Sequence, residues 1–173
     1  MLYLGADPGT TGAIAILDAS KRLVLVTDMP TEQVHVNGKN RKVVSEKGLW
    51  HFIRNPPQQS EPVFGVVEQV NILPQQDVGG GGRFMAGYGA LRMALTAGGV
   101  DYRLVPSVTW RRGVGLKVQS EKDKAPSIAL ANEWFPGSKG LWRLKKHDGR
   151  AEAVLMACYA MLLHGRESQQ LLA

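Results

Sequence analysis

The chain has 173 residues, a formal net charge of +6 and 44% hydrophobic residues, which suits one folded domain and excludes global disorder. Its apolar runs fall far short of the roughly 18 residues a membrane span needs. No signal-peptide pattern follows Met1, and the single cysteine, Cys158, excludes an internal disulfide or a Cys-rich zinc site, so an intracellular location is expected.

The predicted elements run as follows. Residues 2–7 and 12–17 read as two strands joined by a tight turn at Pro8-Gly9-Thr10-Thr11, and 22–28 as a third, giving an antiparallel meander. Residues 31–42 are polar, contain Asn37-Gly38, and read as a loop or short hairpin. Ser45 caps a helix to about Arg54, ended by Asn55-Pro56-Pro57. Residues 62–68 form a buried strand ending in Glu68, and 71–82 an irregular stretch closing on Gly79–Gly82. A helix follows from about Phe84 to Ala97, stopped by Gly98-Gly99, then a strand over 101–106 and a helical turn from Ser107. Residues 113–119 read as loop, and Ser120 with Asp123 caps a helix to about Phe135. A basic segment, 137–146, leads into a last helix from about His147 to His164, with Ala151, Val154, Leu155, Cys158, Met161 and Leu162 at helical spacing. The expected class is α/β with a mixed five-stranded sheet, in one domain covering residues 1–173.

The positive charge is unevenly spread. Residues 103–150 hold 11 Lys/Arg against 4 Asp/Glu, so the excess sits there and points to a polyanionic partner. A merely soluble basic surface is the plainer alternative.

Four carboxylates stand out by position. Asp7 ends the first strand beside a glycine-rich turn, where it either caps the turn or serves chemistry. Glu68 ends a strand of apolar residues, an unfavoured place for a glutamate unless it points to water or has work to do. Asp148 and Glu152, four apart, share a face of the last helix, although acids in a first turn are also what the helix dipole favours. Converged at one end of a sheet, such a cluster needs cations to neutralise it. Hard oxygen donors with no cysteine suit Mg²⁺ or Mn²⁺. Two such ions about 3.5–4 Å apart can clamp the attacking and leaving oxygens of a phosphodiester.

With these residues in place, the chain resembles the RuvC-like Holliday junction resolvases of the RNase H-like superfamily. LGADPGTTGAIAI resembles the first-strand motif, VVEQV the second, and KKHDGRAEAVLMACYA the closing acidic helix; GYGALRMAL and VPSVTWRRGVGL follow in the family's order. The resemblance implies an RNase H-like fold and a homodimer that cuts four-way DNA junctions with Mg²⁺. It further implies catalytic and metal-binding roles for Asp7, Glu68, Asp148 and Glu152, in a cytoplasmic setting in a bacterium or its phage. Family members usually carry the last two acids three apart, so His147 is a second candidate beside Asp148, as ligand or water-positioner. Arg111, Arg112, Lys117, Lys122, Lys124, Arg143, Lys145 and Lys146 are expected to contact phosphates. Singly, each lysine also reads as a solvated surface residue. Trp110 and Trp142 read more readily as packing residues than as base-stacking ones, Phe84 more readily as a core or staple residue than as a junction wedge. The glycine run reads as a flexible connection near DNA, since no Walker-type Gly-Lys-Ser/Thr follows.

Three rivals stay open at this point. DPGTTG also resembles the phosphate loop of actin-like ATPases and sugar kinases, but their second lobe and second motif are missing. A catalytically silent nucleic-acid-binding module would have no use for all four acids. A nuclease of the same fold acting on flaps, forks or hybrids differs only in substrate.

Overall fold

A computed structural model describes residues 1–55, 61–70, 78–116 and 125–171. Five strands form one mixed sheet: β1 (Leu2–Asp7), β2 (Ala13–Asp18), β3 (Leu23–Asp28), β6 (Val63–Gln69) and β7 (Asp101–Pro106), in the order β3-β2-β1-β6-β7. β1, β2 and β3 are antiparallel, as short turns allow. β6 joins β1 in parallel and β7 joins β6 in parallel, each reached through a helical crossover. The five-stranded mixed sheet and its opening meander agree with the expectation from sequence.

Side chains alternate across the sheet and divide the core in two. On one face Tyr3, Ala13, Ala15, Leu17, Phe64, Val66 and Val105 pack against α3 (Ser107–Gly113), α4 (Ala125–Trp134) and the long α5 (Asp148–Leu171). On the other, Leu2, Leu4, Ala6, Ile14, Ile16 and Val67 pack against α1 (Glu46–Arg54) and α2 (Val78–Ala97). Ser45 caps α1 as expected, its hydroxyl accepting from the Gly48 amide at 3.1 Å.

The position of α5 is set by Gly5. A Cβ placed there would stand 2.1 Å from the Ala153 carbonyl oxygen, so the helix backbone lies directly on the strand. Every residue from Ala151 to Ala160 is buried, which makes α5 a central helix and not the one-sided helix its spacing suggests. Leu162, read as part of its apolar stripe, is 43% exposed.

One expectation changes, and two further segments take definite form. Gly79–Gly82, read as a flexible connection, belong to α2: the packed body around Leu91 and Leu95 propagates the helix back through them, and each glycine costs only about 1 kcal/mol. The segment 137–146 contains two 3₁₀ helices, Pro136–Trp142 and Lys145–His147, anchored by the buried Trp142. Of the two forms expected for residues 31–42, the hairpin is the one taken, as β4 (Thr31–Val36) and β5 (Lys39–Val44). The expected cap at Ser120 and Asp123 lies outside the described residues, as do residues 71–77.

Candidate active site at the strand ends

β1 and β6 are neighbouring parallel strands with Ala6 opposite Val67, so Asp7 and Glu68 follow side by side at their carboxyl ends, about 5 Å apart along the hydrogen-bonding direction. Alternation fixes their direction as well. Asp7 continues the Tyr3–Gly5 side of β1 and Glu68 the Phe64–Val66 side of β6, so both face α5. Gly9 sustains the sharp turn that follows Asp7, with φ of +104°. The Phe84 ring rests on this turn, its edge 3.1 Å from where a Gly9 Cβ would stand, so Phe84 is half-buried against the turn.

The helix supplies the next acid. One turn back from Ala153, at Gly149, a Cβ would stand 3.0 Å from Asp7 Oδ2 and 2.7 Å from the Thr11 carbonyl oxygen. Only the missing side chain at 149 lets the Asp7 carboxylate reach the start of α5, where Asp148 is the first residue. The ends of β1 and β6, which carry Asp7 and Glu68, and the start of α5, which carries Asp148, therefore lie at the same end of the sheet.

Glu152 behaves differently. It is 1% exposed and forms an ion pair with Arg111, itself 5% exposed; the Ser127 hydroxyl donates to the same carboxylate oxygen at 3.2 Å. Arg111, expected on a DNA-facing surface, thus points inward. Its Nε also donates to Ser107 Oγ at 3.0 Å. The preceding residue, Trp110, is fully buried and donates its indole N–H to Glu68 Oε2 at 2.8 Å. Consecutive residues of α3 hold one acid each. Trp110's part was not foreseen; the signal was its place in TWRR, directly beyond β7 at the level where Glu68 pairs with Val105.

Among the described residues, no three His, Cys, Asp or Glu side chains stand close enough to hold a metal ion together. The donor chemistry of Asp7, Glu68 and Asp148 suits a hard divalent cation, and the absence of a side chain at Gly149 lets the Asp7 carboxylate approach the start of α5. Glu152, held by Arg111, is outside that group.

His147 lies on the other flank. Its Nδ1 is buried without a hydrogen-bond partner, and its ring borders a hollow of about 340 Å³ with Thr10, Thr11, Gly12, Asp28, Lys42 and Lys146. Asp28 receives Arg150 Nε at 2.6 Å and Nη2 at 2.7 Å. That guanidinium holds its carboxyl below the usual carboxylate range, with smaller help from His147 and Lys42. Of the expected phosphate contacts, Arg112, Arg143 and Lys146 are exposed. Lys117, Lys122 and Lys124, and the side chain of Lys145, lie outside the described residues. Trp142 is buried and donates to Asn132 Oδ1 at 2.9 Å, a packing role like that of Trp110.

No family model matches the chain. In sequence it is similar to the chloroplastic Holliday junction resolvase MOC1 of Chlamydomonas reinhardtii, 34% identical over 165 residues. That match covers 83% of this chain but only 18% of the relative's length. In structure it is similar to Thermus thermophilus RuvC in complex with a Holliday junction substrate, with a TM-score of 0.57 and 15% identity, covering 95% of this chain and 96% of that one. A second Thermus thermophilus RuvC structure gives a TM-score of 0.53 at 14% identity, over 95% and 97% of the two chains. No described helix is long and apolar enough to cross a membrane. With the strand-end acids, the capping helix and these likenesses together, the chain has the RuvC-type, RNase H-like fold and resembles the RuvC-like Holliday junction resolvases.

Proposed function

We propose that the chain is a single-domain, structure-selective endonuclease that hydrolyses phosphodiesters in branched DNA, four-way junctions above all, and works as a homodimer. The observation that carries this reading is the adjacency of the strand ends bearing Asp7 and Glu68, with the start of α5 at the same end of the sheet. The similarity to a named junction resolvase supports the substrate class.

Asp7, Glu68 and Asp148 would hold the divalent ion, Mg²⁺ with Mn²⁺ as its substitute, and Glu152 joins them only on leaving Arg111. When bound, the ion supplies positive charge for the phosphate as it becomes pentacovalent and for the departing 3′ oxygen. Trp110 fixes the rotamer of Glu68 through its N–H. Asp7 and Asp148, at the open edge, orient the attacking water, and no covalent intermediate is needed. Arg112, Arg143 and Lys146, with Lys117, Lys122, Lys124 and Lys145, bind the flanking phosphates. His147, with its unpartnered Nδ1, is placed to position water or a phosphate oxygen rather than to complete the carboxylate group. A homodimer draws support from an apolar groove between α1 and α2, lined by Trp50, Ala90, Met93, Ala94 and Ala97, in which Met93 is 64% and Trp50 44% exposed. The chloroplastic relative lends no support to a bacterial or phage setting.

A second reading, a silent junction-binding module of the same fold, is favoured by one observation: the ion pair that occupies Glu152. One gel separates the two. A mobile four-way junction, a fork and a linear duplex are incubated with the full chain, with and without Mg²⁺ or Mn²⁺. The nuclease reading expects symmetric nicks in the junction only when the metal is present. Binding without nicks selects the silent module, and preferential fork cutting selects the flap or fork nuclease.

A further inference from the structure

Arg150 stands in the first turn of α5, where the helix dipole disfavours a cation, between Asp148 and Glu152. Each of its three guanidinium nitrogens has a partner. Nε and Nη2 donate to the two oxygens of Asp28 at 2.6 and 2.7 Å, and Nη1 donates to the Leu141 carbonyl at 2.8 Å. Asp28 is the last residue of β3 and lies on the same rung of the sheet as Asp7, with Ala13 between them. Leu141 belongs to the 3₁₀ helix Pro136–Trp142. One side chain therefore joins the edge strand of the sheet, the basic segment and the helix that carries Asp148. Stability does not explain the arrangement, because the Asp28 side chain is 61% exposed and exposed ion pairs contribute little. A fork on a carboxylate with a third donor on a carbonyl fixes geometry instead.

The Leu141 contact closes the chain on itself over residues 141–150. Within that loop, Trp142 is fully buried, donates to Asn132 Oδ1 and stands edge-on to Phe135, with ring centres 6.4 Å apart. The His147 amide donates to the Leu144 carbonyl at 2.8 Å. The loop is thus pinned from inside by Trp142 and at its mouth by Arg150, and Arg143 and Lys146 are exposed between the two pins. Asp148 lies in the same loop. Two cations proposed to bind phosphates and one acid proposed to hold the metal therefore ride on a single closed stretch of backbone. Another arginine offers a contrast. Arg22 pairs with Asp18 at 2.7 Å at the opposite end of the sheet, where Asp18 faces Leu2. Its partner is four residues away in the chain and that of Arg150 is 122, so only the second pair ties distant elements together.

We propose that Arg150 is a positioning residue for the DNA substrate: gripped by Asp28, it holds the 141–150 loop so that Arg143 and Lys146 meet backbone phosphates at a fixed distance from the acids at the end of the sheet. A planar guanidinium suits this task because its fork sets direction as well as distance, which an ammonium does not. With all three nitrogens engaged, Arg150 acts on the loop and not on DNA itself. The inference rests on the nuclease reading above.

The test is a double-mutant cycle in the full chain carrying Asp7→Asn, so that the junction stays intact. Four-way junction affinity is measured by anisotropy at a salt concentration of about 0.1 M. Arg143→Ala is expected to weaken binding about 5-fold in this parent. In an Arg150→Gln background the same change should cost less than about 2-fold, because the loop no longer presents Arg143 to its phosphate. Asp28→Ala should also lower that cost, to about 2–3-fold, although it removes a negative charge and leaves Arg150 in place. Arg150→Lys keeps the charge without the fork and should behave as Arg150→Gln does. Arg22→Gln removes one cation at the far pair and should leave the Arg143→Ala cost at about 5-fold. Thermal melts check folding, and Asp28→Ala decides the matter where Arg150→Gln does not melt cooperatively. An Arg143→Ala cost that is equal in all backgrounds would overturn the proposal. So would full restoration by Arg150→Lys, which would mean a charge acting directly, or an Arg143→Ala change without effect in the parent. A parent that ignores branched DNA altogether defeats the nuclease reading itself; a parent that binds it while the cycle is additive defeats only the role of Arg150.

Discussion

Glu68 and Glu152 are both held by α3, through consecutive residues, yet they end in opposite conditions. Glu68 accepts the neutral indole N–H of Trp110, which orients its carboxylate, and it is half-buried at the strand end. Glu152 faces the guanidinium of Arg111 inside the core, where its charge is matched and solvent is excluded. The lesson is that a carboxylate's partner matters as much as its position. A dipolar donor keeps an acid ready for a cation, whereas a buried arginine competes with one.

The largest expected effect falls on the open half of the site. Asp7→Asn should reduce junction cutting by at least about 100-fold, as loss of a group that acts only in the transition state does. Junction affinity should stay within about 2-fold, since no phosphate donor has been removed; equal losses of binding and cutting would count against the assignment. Next comes the closed half. Arg111→Met takes the guanidinium from the buried Glu152 and should lower stability by about 3–5 kcal/mol, whereas Arg111→Met with Glu152→Leu should recover most of it, both read by denaturant melts. A double variant as unstable as the single one would show that the pair is not the reason. Trp110→Phe sharpens the contrast on the Glu68 side: losing one hydrogen bond to a charged group, worth about 1.5–3 kcal/mol, should slow cutting by about 10-fold or more with binding unchanged. Unaltered cutting would leave the indole a packing residue only.

The smallest effect lies away from both acids. Burial pushes the Cys158 thiol up to about 12. A group whose ionisation is raised on folding contributes stability that is whole at neutral pH and declines as pH climbs from the free-thiol range toward that value. Cys158 should therefore resist a thiol reagent at pH 8 until the chain is unfolded, and rapid labelling of the native protein would contradict its placement.

Much of this was legible in the residues themselves. Six-residue apolar strands punctuated by Pro-Gly and Asp termini mark the sheet, and a carboxylate directly after such a run is conspicuous because it opposes its neighbours; Asp7 and Glu68 are found that way. The hairpin was harder, because neither strand buries a face and no alternation of apolar and polar residues betrays it; only Asn37-Gly38 does. The glycine run misled because propensity is local, whereas the α2 packing that overrides it is not. Arg111 misled for a related reason. In sequence it is one cation within a basic segment, and its partner lies 41 residues away, brought to it by the packing of α3 on α5.

The bare Gly5 backbone beneath Ala153 acts as the gauge block of the molecule. Strand and helix touch there with no side chain between them, so the offset between the two halves of the chemistry is machined two residues upstream of Asp7, where no reagent ever arrives. Adding a single methyl at that point would lift the helix and open the gap between Asp7 and Asp148 without altering either acid.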